Sequence, residues 1–195
     1  MPMQQGLAKF FVEFLCHPRD VGAVAPSSEA LALRTVRSID WTNVKTIVEF
    51  GPGTGAITQV ILDNKPPDAC LLAIEQNPRF VEILERRFPS LTVFHNSVSN
   101  VQQVCESQGL TEIDAVISGL PWSSFTDEQQ TEYLEALLSV LRPGGQFATY
   151  AYISGLLLPS AHRFRSKLRE YFREVRCSRI VWLNVPPAFV YHCSK

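Results

Sequence analysis

The chain has 195 residues, 46% hydrophobic and 19% charged, with a formal net charge of −1, enough for one apolar core with a short appendage and too apolar for a disordered chain. The near-neutral balance gives no general pull toward nucleic acid or anionic lipid, no run reaches the ~18 apolar residues of a membrane span, and the N-terminus lacks the features of a secretory signal. Five scattered cysteines (Cys16, Cys70, Cys105, Cys177, Cys193) and four histidines without ligand spacing lead us to expect reduced thiols, a cytoplasmic setting and no metal site.

In chain order, Leu7, Phe10, Phe11, Phe14 and Leu15 recur at helical spacing and predict an amphipathic helix ending before Pro18. "GAVAPSSEALALRTV" then reads as a loop feeding a second helix, with Ser27 or Ser28 as its N-cap. Residues 1–40 are thus expected to form a helical lid or substrate cover, and 41–195 the core. The first helix leaves open a peripheral membrane contact through residues 6–16 at the inner membrane face, with Lys9 as its only cation.

Short β-branched runs follow: "TIVEF" (46–50), "CLLAIE" (70–75), "LTVFH" (91–95), "IDAVIS" (113–118) and "GQFATYAYI" (145–153). Helical patterns around 55–64, 78–88, 98–108 and 126–141 separate them. This alternation predicts an α/β fold, a Rossmann-like, mostly parallel sheet with helices on both faces. From 162 to 179 the chain carries seven Lys/Arg (Arg163, Arg165, Lys167, Arg169, Arg173, Arg176, Arg179) against two acids. Phe164, Leu168 and Phe172 recur among them, so a solvated helix face is the first reading and a phosphate or lipid-headgroup patch the second. The last residues read as two extended segments joined by a proline corner, which predicts an antiparallel closing strand.

"VEFGPGTGAIT" (48–58) sits between a predicted strand and a predicted helix. Gly51, Gly53 and Gly55 there let the backbone approach a nucleotide-like ligand near free helix N–H groups. Glu75, about 20 residues on at a strand end, is placed to accept ribose hydroxyls; its alternative is a carboxylate in water. Glu49 suits an ammonium or sulfonium ligand better than a pyrophosphate, which it would repel; its alternative is a cap on nearby N–H groups. Read as Gly51-x-Gly53-x-x-Ala56, the loop also admits a nicotinamide dinucleotide.

In "SGLPWSSF" (118–125), Pro121 has no N–H and restricts Leu120 to extended backbone, so carbonyls of Ser118 to Leu120 are expected to face the ligand. Trp122 is expected to offer a π face to a cationic amine or sulfonium, with core packing as the alternative. No general base is identified; Tyr150, Tyr152 and His17 are candidates by location only.

"EFGPGTG", "AIEQNP" and "SGLPW", in that order, resemble the class I S-adenosylmethionine-dependent methyltransferases. "GAVAPSS", "LRPGGQF" and "NVPPAFVY" extend the resemblance to the bacterial phospholipid N-methyltransferases, which are similar in core motifs to ribosomal RNA adenine dimethyltransferases. The resemblance implies a seven-stranded sheet, S-adenosylmethionine over the glycine loop, and an amine acceptor such as a phosphatidylethanolamine-type headgroup. It implies cofactor contacts from Glu49, Gly51, Gly53, Thr54, Gly55, Glu75, Gln76, Asn96, Ser97 and Ser118, and a catalytic corner of Ser118, Gly119, Leu120, Pro121 and Trp122. Two positions depart from the pattern. "HNSVSN" lacks the usual acid beside the adenine, leaving Asn96 or Ser97 for that contact, and Ser118-Gly119 stand where enzymes acting on bases carry Asn or Asp, which favours an alkylamine over a flat base. The alternatives are an RNA adenine methyltransferase using the basic segment, a small-molecule methyltransferase, a cofactor-binding protein without turnover, and a nicotinamide-dependent oxidoreductase.

Overall fold

A computed structural model describes residues 28–195. The expected amphipathic helix over 7–15, the membrane contact at 6–16 and His17 lie outside the described residues.

The β-branched runs pair as strands. β1 (Thr46–Phe50), β2 (Cys70–Glu75), β3 (Thr92–His95), β4 (Ile113–Ser118), β5 (Leu141–Tyr152), β6 (Glu174–Cys177) and β7 (Ala188–Ser194) form one sheet in the order β3-β2-β1-β4-β5-β7-β6. β3, β2, β1, β4 and β5 run parallel, and β7 lies antiparallel between β5 and β6. β5 starts four residues before the predicted run, because Leu141 already pairs with Ile113 before the register shifts to Ala115 opposite Gln146.

Alternation along the strands supplies two apolar faces, and both are covered. Ile47, Ala73, Ala115, Ile117 and Ala148 pack beneath α1 (Glu29–Val36), α2 (Ala56–Asn64) and α3 (Pro78–Arg87). Val48, Phe50, Ile74, Val116 and Phe147 pack beneath α4 (Val101–Ser107), α5 (Asp127–Val140) and α6 (Pro159–Tyr171). Local caps fix the helix starts: Asn77 ahead of Pro78 for α3, and a Thr126–Gln129 capping box for α5.

Ser28 caps α1, its hydroxyl accepting from the Leu31 N–H at 3.3 Å. This helix is no cover over the sheet's end. Ala32 and Val36 lie in the core against α2 and β5, and Leu31 packs on Ala188 and Val190 of β7, so residues 29–36 roof one sheet face at its β5–β7 side. In α6, Phe164 and Leu168 are buried, as is Phe172 just beyond it, while arginines face outward, the arrangement that their spacing predicts.

The order reverses between β1 and β4. Chains leaving those two strands diverge to opposite faces, which opens a crevice at their carboxyl ends.

Candidate active site

The crevice is a cavity of about 490 Å³, within the about 300–1,000 Å³ of small-molecule sites. Gly51 and Gly53 form one wall, Glu75, Gln76, Asn96 and Ser97 a second, and Gly119, Leu120 and Pro121 a third. The parallel register of β2, β1 and β4 creates this convergence, by setting their carboxyl ends side by side.

The first and third walls touch through glycines. Gly51 has φ +63°, and a Cβ there would meet Leu120 Cδ2 at 2.6 Å; a Cβ on Gly119 would meet the Gly51 carbonyl oxygen at 2.6 Å. Neither position has room for a side chain. At Gly53 (φ +59°) nothing lies within 4 Å of the Cβ position, so its bare backbone faces open space.

Glu75 ties the loop to the second wall. Its Oε2 accepts from the Gly53 N–H at 3.0 Å and its Oε1 from the Asn77 N–H at 2.8 Å. It is therefore no carboxylate in water: the side chain is buried, and burial raises its pKa while N–H bonds from Asn77, Gly53 and Gln76 and the nearby His95 oppose the rise. Each carboxylate oxygen keeps one lone pair for the cavity. Asn96 spends its Oδ1 on the Ser97 N–H and on Asn100 Nδ2, both at 2.8 Å. Its amide N–H groups make no hydrogen bond among the described residues. The Ser97 hydroxyl is likewise engaged, accepting from Ser99.

Five expected site residues do not line the cavity. Glu49 lies fully buried on the opposite face of β1, its Oε2 accepting from the Thr58 hydroxyl at 2.7 Å and its Oε1 unpartnered among the described residues. Burial raises its pKa to about 8, against a smaller lowering by the Thr58 bond, which favours the protonated acid. Thr54 turns away, its carbonyl accepting from Arg87 Nη1 at 2.9 Å. Gly55 seats α2 against α3, where a Cβ would strike Phe88 at 2.4 Å. Ser118 is buried below the corner, and its hydroxyl accepts from the Leu120 N–H and from Trp122 Nε1.

Trp122 likewise belongs to the core. Its ring stacks on Phe164 at 4.7 Å between centroids and meets Phe125, Tyr133 and Phe147 edge-on. The indole is 3% exposed. The Leu-Pro step that turns the chain also folds Trp122 inward, where aromatic packing and the Ser118 hydroxyl hold it.

The corner's carbonyls are mostly occupied. Ser118 O accepts from the Thr149 hydroxyl, and Leu120 O from the Trp122 N–H across Pro121. Gly119 O carries no hydrogen bond among the described residues. Gln130, buried on α5, holds the corner from behind by donating to the carbonyls of Trp122 (2.8 Å) and Ser160 (3.1 Å).

Sequence reading missed the apolar walls: Ile74, Phe80 and Val98 on one side, Phe125 and Tyr133 on the other. Phe80 and Tyr133 sit on helices whose periodicity marks them only as semi-buried. Tyr150 and Tyr152 line a separate small cavity behind Trp122 rather than the cleft, and burial holds the Tyr152 hydroxyl far above its ordinary pKa.

Comparisons with known proteins agree with this geometry. Residues 47–145 match the family model described as "Methyltransferase domain". The chain is 34% identical over 187 residues to an ornithine lipid N-methyltransferase of Singulisphaera acidiphila, covering 94% of this chain and 93% of that protein. It is 30% identical over 94 residues to a chloroplastic ribosomal RNA small subunit methyltransferase of Arabidopsis thaliana, which covers 42% of this chain and 26% of that one. Among solved structures, the O-methyltransferase TomG of Streptomyces achromogenes, in complex with SAM, superposes with a TM-score of 0.67 at 17% identity over 96% of this chain and 89% of its own. A SAM-dependent O-methyltransferase of Thermotoga maritima superposes with a TM-score of 0.66 at 15% identity, covering 93% of this chain and 71% of that one.

S-adenosylmethionine is the cofactor, and the cavity suits it: Glu75 has lone pairs for ribose hydroxyls, Gly53 bare backbone, and Phe80, Ile74 and Val98 apolar surface for a base. With this crevice, the matched domain and a relative aligned along nearly its whole length, the chain belongs to the class I S-adenosylmethionine-dependent methyltransferases.

Proposed function

We propose that this methyltransferase transfers methyl groups to the amine of a lipid headgroup, an ethanolamine phospholipid or an ornithine lipid, at the inner face of the membrane. The observation that carries the reading is the corner: Gly119 O, which carries no hydrogen bond among the described residues, lies beside Leu120, Pro121, Phe125 and Tyr133, and the Tyr133 hydroxyl is the one polar side-chain group on this wall among the described residues.

Bound S-adenosylmethionine supplies an electrophilic methyl group; the chain's own residues have to hold and aim the acceptor. An amine attacks only as the neutral base. Gly119 O accepts one of its N–H bonds and so orients the nitrogen lone pair, a positioning role that needs no side-chain nucleophile. Glu75 and Tyr133 are the only ionisable side chains among the described lining residues, and Glu75 is tied to the loop. The amine's proton therefore leaves to solvent through the open cleft. Phe125 and Tyr133 give the methylene groups of a headgroup an apolar wall. The similarity to an ornithine lipid N-methyltransferase over 93% of that protein supports the same acceptor class.

Labelled S-adenosylmethionine, incubated with vesicles containing phosphatidylethanolamine or ornithine lipid, is expected to yield labelled lipid. Label that goes only to a soluble amine or to ribosomal RNA contradicts the proposal.

A further inference from the structure

The segment between β6 and β7, residues 178–187, displays apolar side chains that a folded chain ordinarily hides. Trp182 is 71% exposed, Leu183 83% and Val185 72%; Leu157, in the turn after β5, is 88% exposed. Isolated exposed apolar residues are common, but several on one rim that include a tryptophan mark a contact surface.

The segment is held in shape. Val181 is buried and bridges Ala188, and buried Asn184 donates to Pro186 O at 2.7 Å while its Oδ1 accepts from the Ser28 N–H at 2.8 Å. With Val181 and Asn184 anchored inward, Trp182, Leu183 and Val185 are pushed outward. The Ile153 N–H donates to Pro187 O at 2.9 Å, which joins this segment to the turn bearing Leu157. Both segments sit where β5 ends, since Tyr152 pairs with Ala188. That is the carboxyl-end rim of the sheet, the rim on which the methyltransferase cleft opens.

Charge lies beside the apolar rim. Arg179 belongs to the segment itself, and Arg165, in the half of α6 nearer this rim, lies close enough to act on Tyr191 of β7. Arg173 belongs to the other end of the sheet, since it precedes Glu174, which pairs with Ser194 level with Gln146 at the start of β5. Arg163 pairs with Asp127, but Arg165 and Arg179 are exposed and form no ion pair among the described residues. An indole and aliphatic tips flanked by guanidinium groups match a bilayer interface: the apolar groups enter the acyl boundary and the arginines meet lipid phosphates. Leu157, Leu183 and Val185 have no counterpart on a nucleic acid, which offers stacking and hydrogen bonds.

We propose that Leu157, Trp182, Leu183 and Val185, with Arg165 and Arg179 beside them, form a docking surface for an anionic phospholipid bilayer. This goes beyond the acceptor reading and is tested without it, on vesicles of phosphatidylcholine and phosphatidylglycerol, which offer no amine acceptor because choline's quaternary nitrogen has no lone pair. In sedimentation, the full chain is expected to bind these vesicles, more weakly as salt rises, and to ignore vesicles of phosphatidylcholine alone. Trp182→Ser/Leu183→Ser and Arg165→Ser/Arg179→Ser are each expected to weaken binding about tenfold or more. Bromine-labelled acyl chains are expected to quench the tryptophan emission of the full chain but not of Trp182→Phe, a change mild enough to leave the fold intact. Absence of binding, equal binding by the variants, quenching that persists in Trp182→Phe, or a Trp182→Ser/Leu183→Ser effect confined to self-association overturns the proposal. So does salt-sensitive binding to RNA without binding to vesicles. Docking without lipid methylation would sink the acceptor reading alone, and lipid methylation without docking would sink only this surface.

Discussion

Gly119 and Glu75 are the residues on which cofactor binding rests most directly. A methyl group on Gly119 would collide with the backbone oxygen of Gly51, and backbone yields less readily than a side chain. Gly119→Ala is expected to cost about 1–3 kcal/mol of stability and to weaken S-adenosylhomocysteine binding by tenfold or more in calorimetry. Glu75→Gln leaves one acceptor oxygen for the two N–H groups of Gly53 and Asn77 that Glu75 now serves. Cofactor affinity is expected to fall about 10- to 100-fold, the loss of a hydrogen bond to a charged group. Trp122 gives the opposite pattern. Because its ring is packed between α6 and β5, Trp122→Ala is expected to destabilise the fold by about 3–5 kcal/mol in denaturant titration, whereas Trp122→Phe is expected to retain turnover. Loss of turnover in a stably folded Trp122→Phe would restore the indole to the chemistry.

The elements that hold these residues were legible to different degrees. β1, β2 and β4 stand where their β-branched runs lie, and Gly51, Gly53 and Glu75 follow from strand ends, so their places in the cavity could be read from order and spacing. Trp122 could not be read that way. Whether an aromatic after Leu-Pro faces a cleft or a core depends on what α5, β5 and α6 bring behind it, and Phe147 and Phe164 are far away in sequence. Glu49 was misleading for a similar reason: its place before the loop suggested a ligand, but alternation along β1 sends it to the face under α2, toward Thr58. Gln130 is the clearest element-scale test. Gln130→Leu leaves the carbonyls of Trp122 and Ser160 without their donor, and is expected to lower stability by about 1–3 kcal/mol. It should also raise the acceptor KM while cofactor affinity stays within about twofold, because Gln130 holds the corner and not the glycine loop.

At the scale of the molecule, the reversal of strand order between β1 and β4 places the cleft, and the β5–β7–β6 end carries the apolar and basic rim beside it. The methyl donor site and the proposed bilayer-docking edge then share one side of the sheet, which suits a substrate whose amine lies at a membrane surface. The buried acid beneath the loop makes the whole fold sensitive to pH. The folded-state pKa of Glu49, about 8, lies above its ordinary 4.5, so between those values the folded chain holds more protons than the unfolded one. Its contribution is complete below about pH 4.5 and is lost as pH rises through 8, at up to about 1.4 kcal/mol per pH unit. Burial shifts Glu75 in the same direction. Denaturation midpoints are thus expected to fall from pH 5 to pH 8, and Glu49→Gln to flatten that slope; an equal slope in the variant would show that Glu49 is ionised in the folded state.

The central claim is that the cleft methylates a lipid amine. Mass spectrometry of a single reaction offering vesicle-borne amino-lipid, the soluble headgroup amine and ribosomal RNA in equal amounts tests it most directly. Methyl groups on the lipid's headgroup nitrogen, with little on the other two, are the predicted result; methyl groups confined to RNA or to the soluble amine would contradict it.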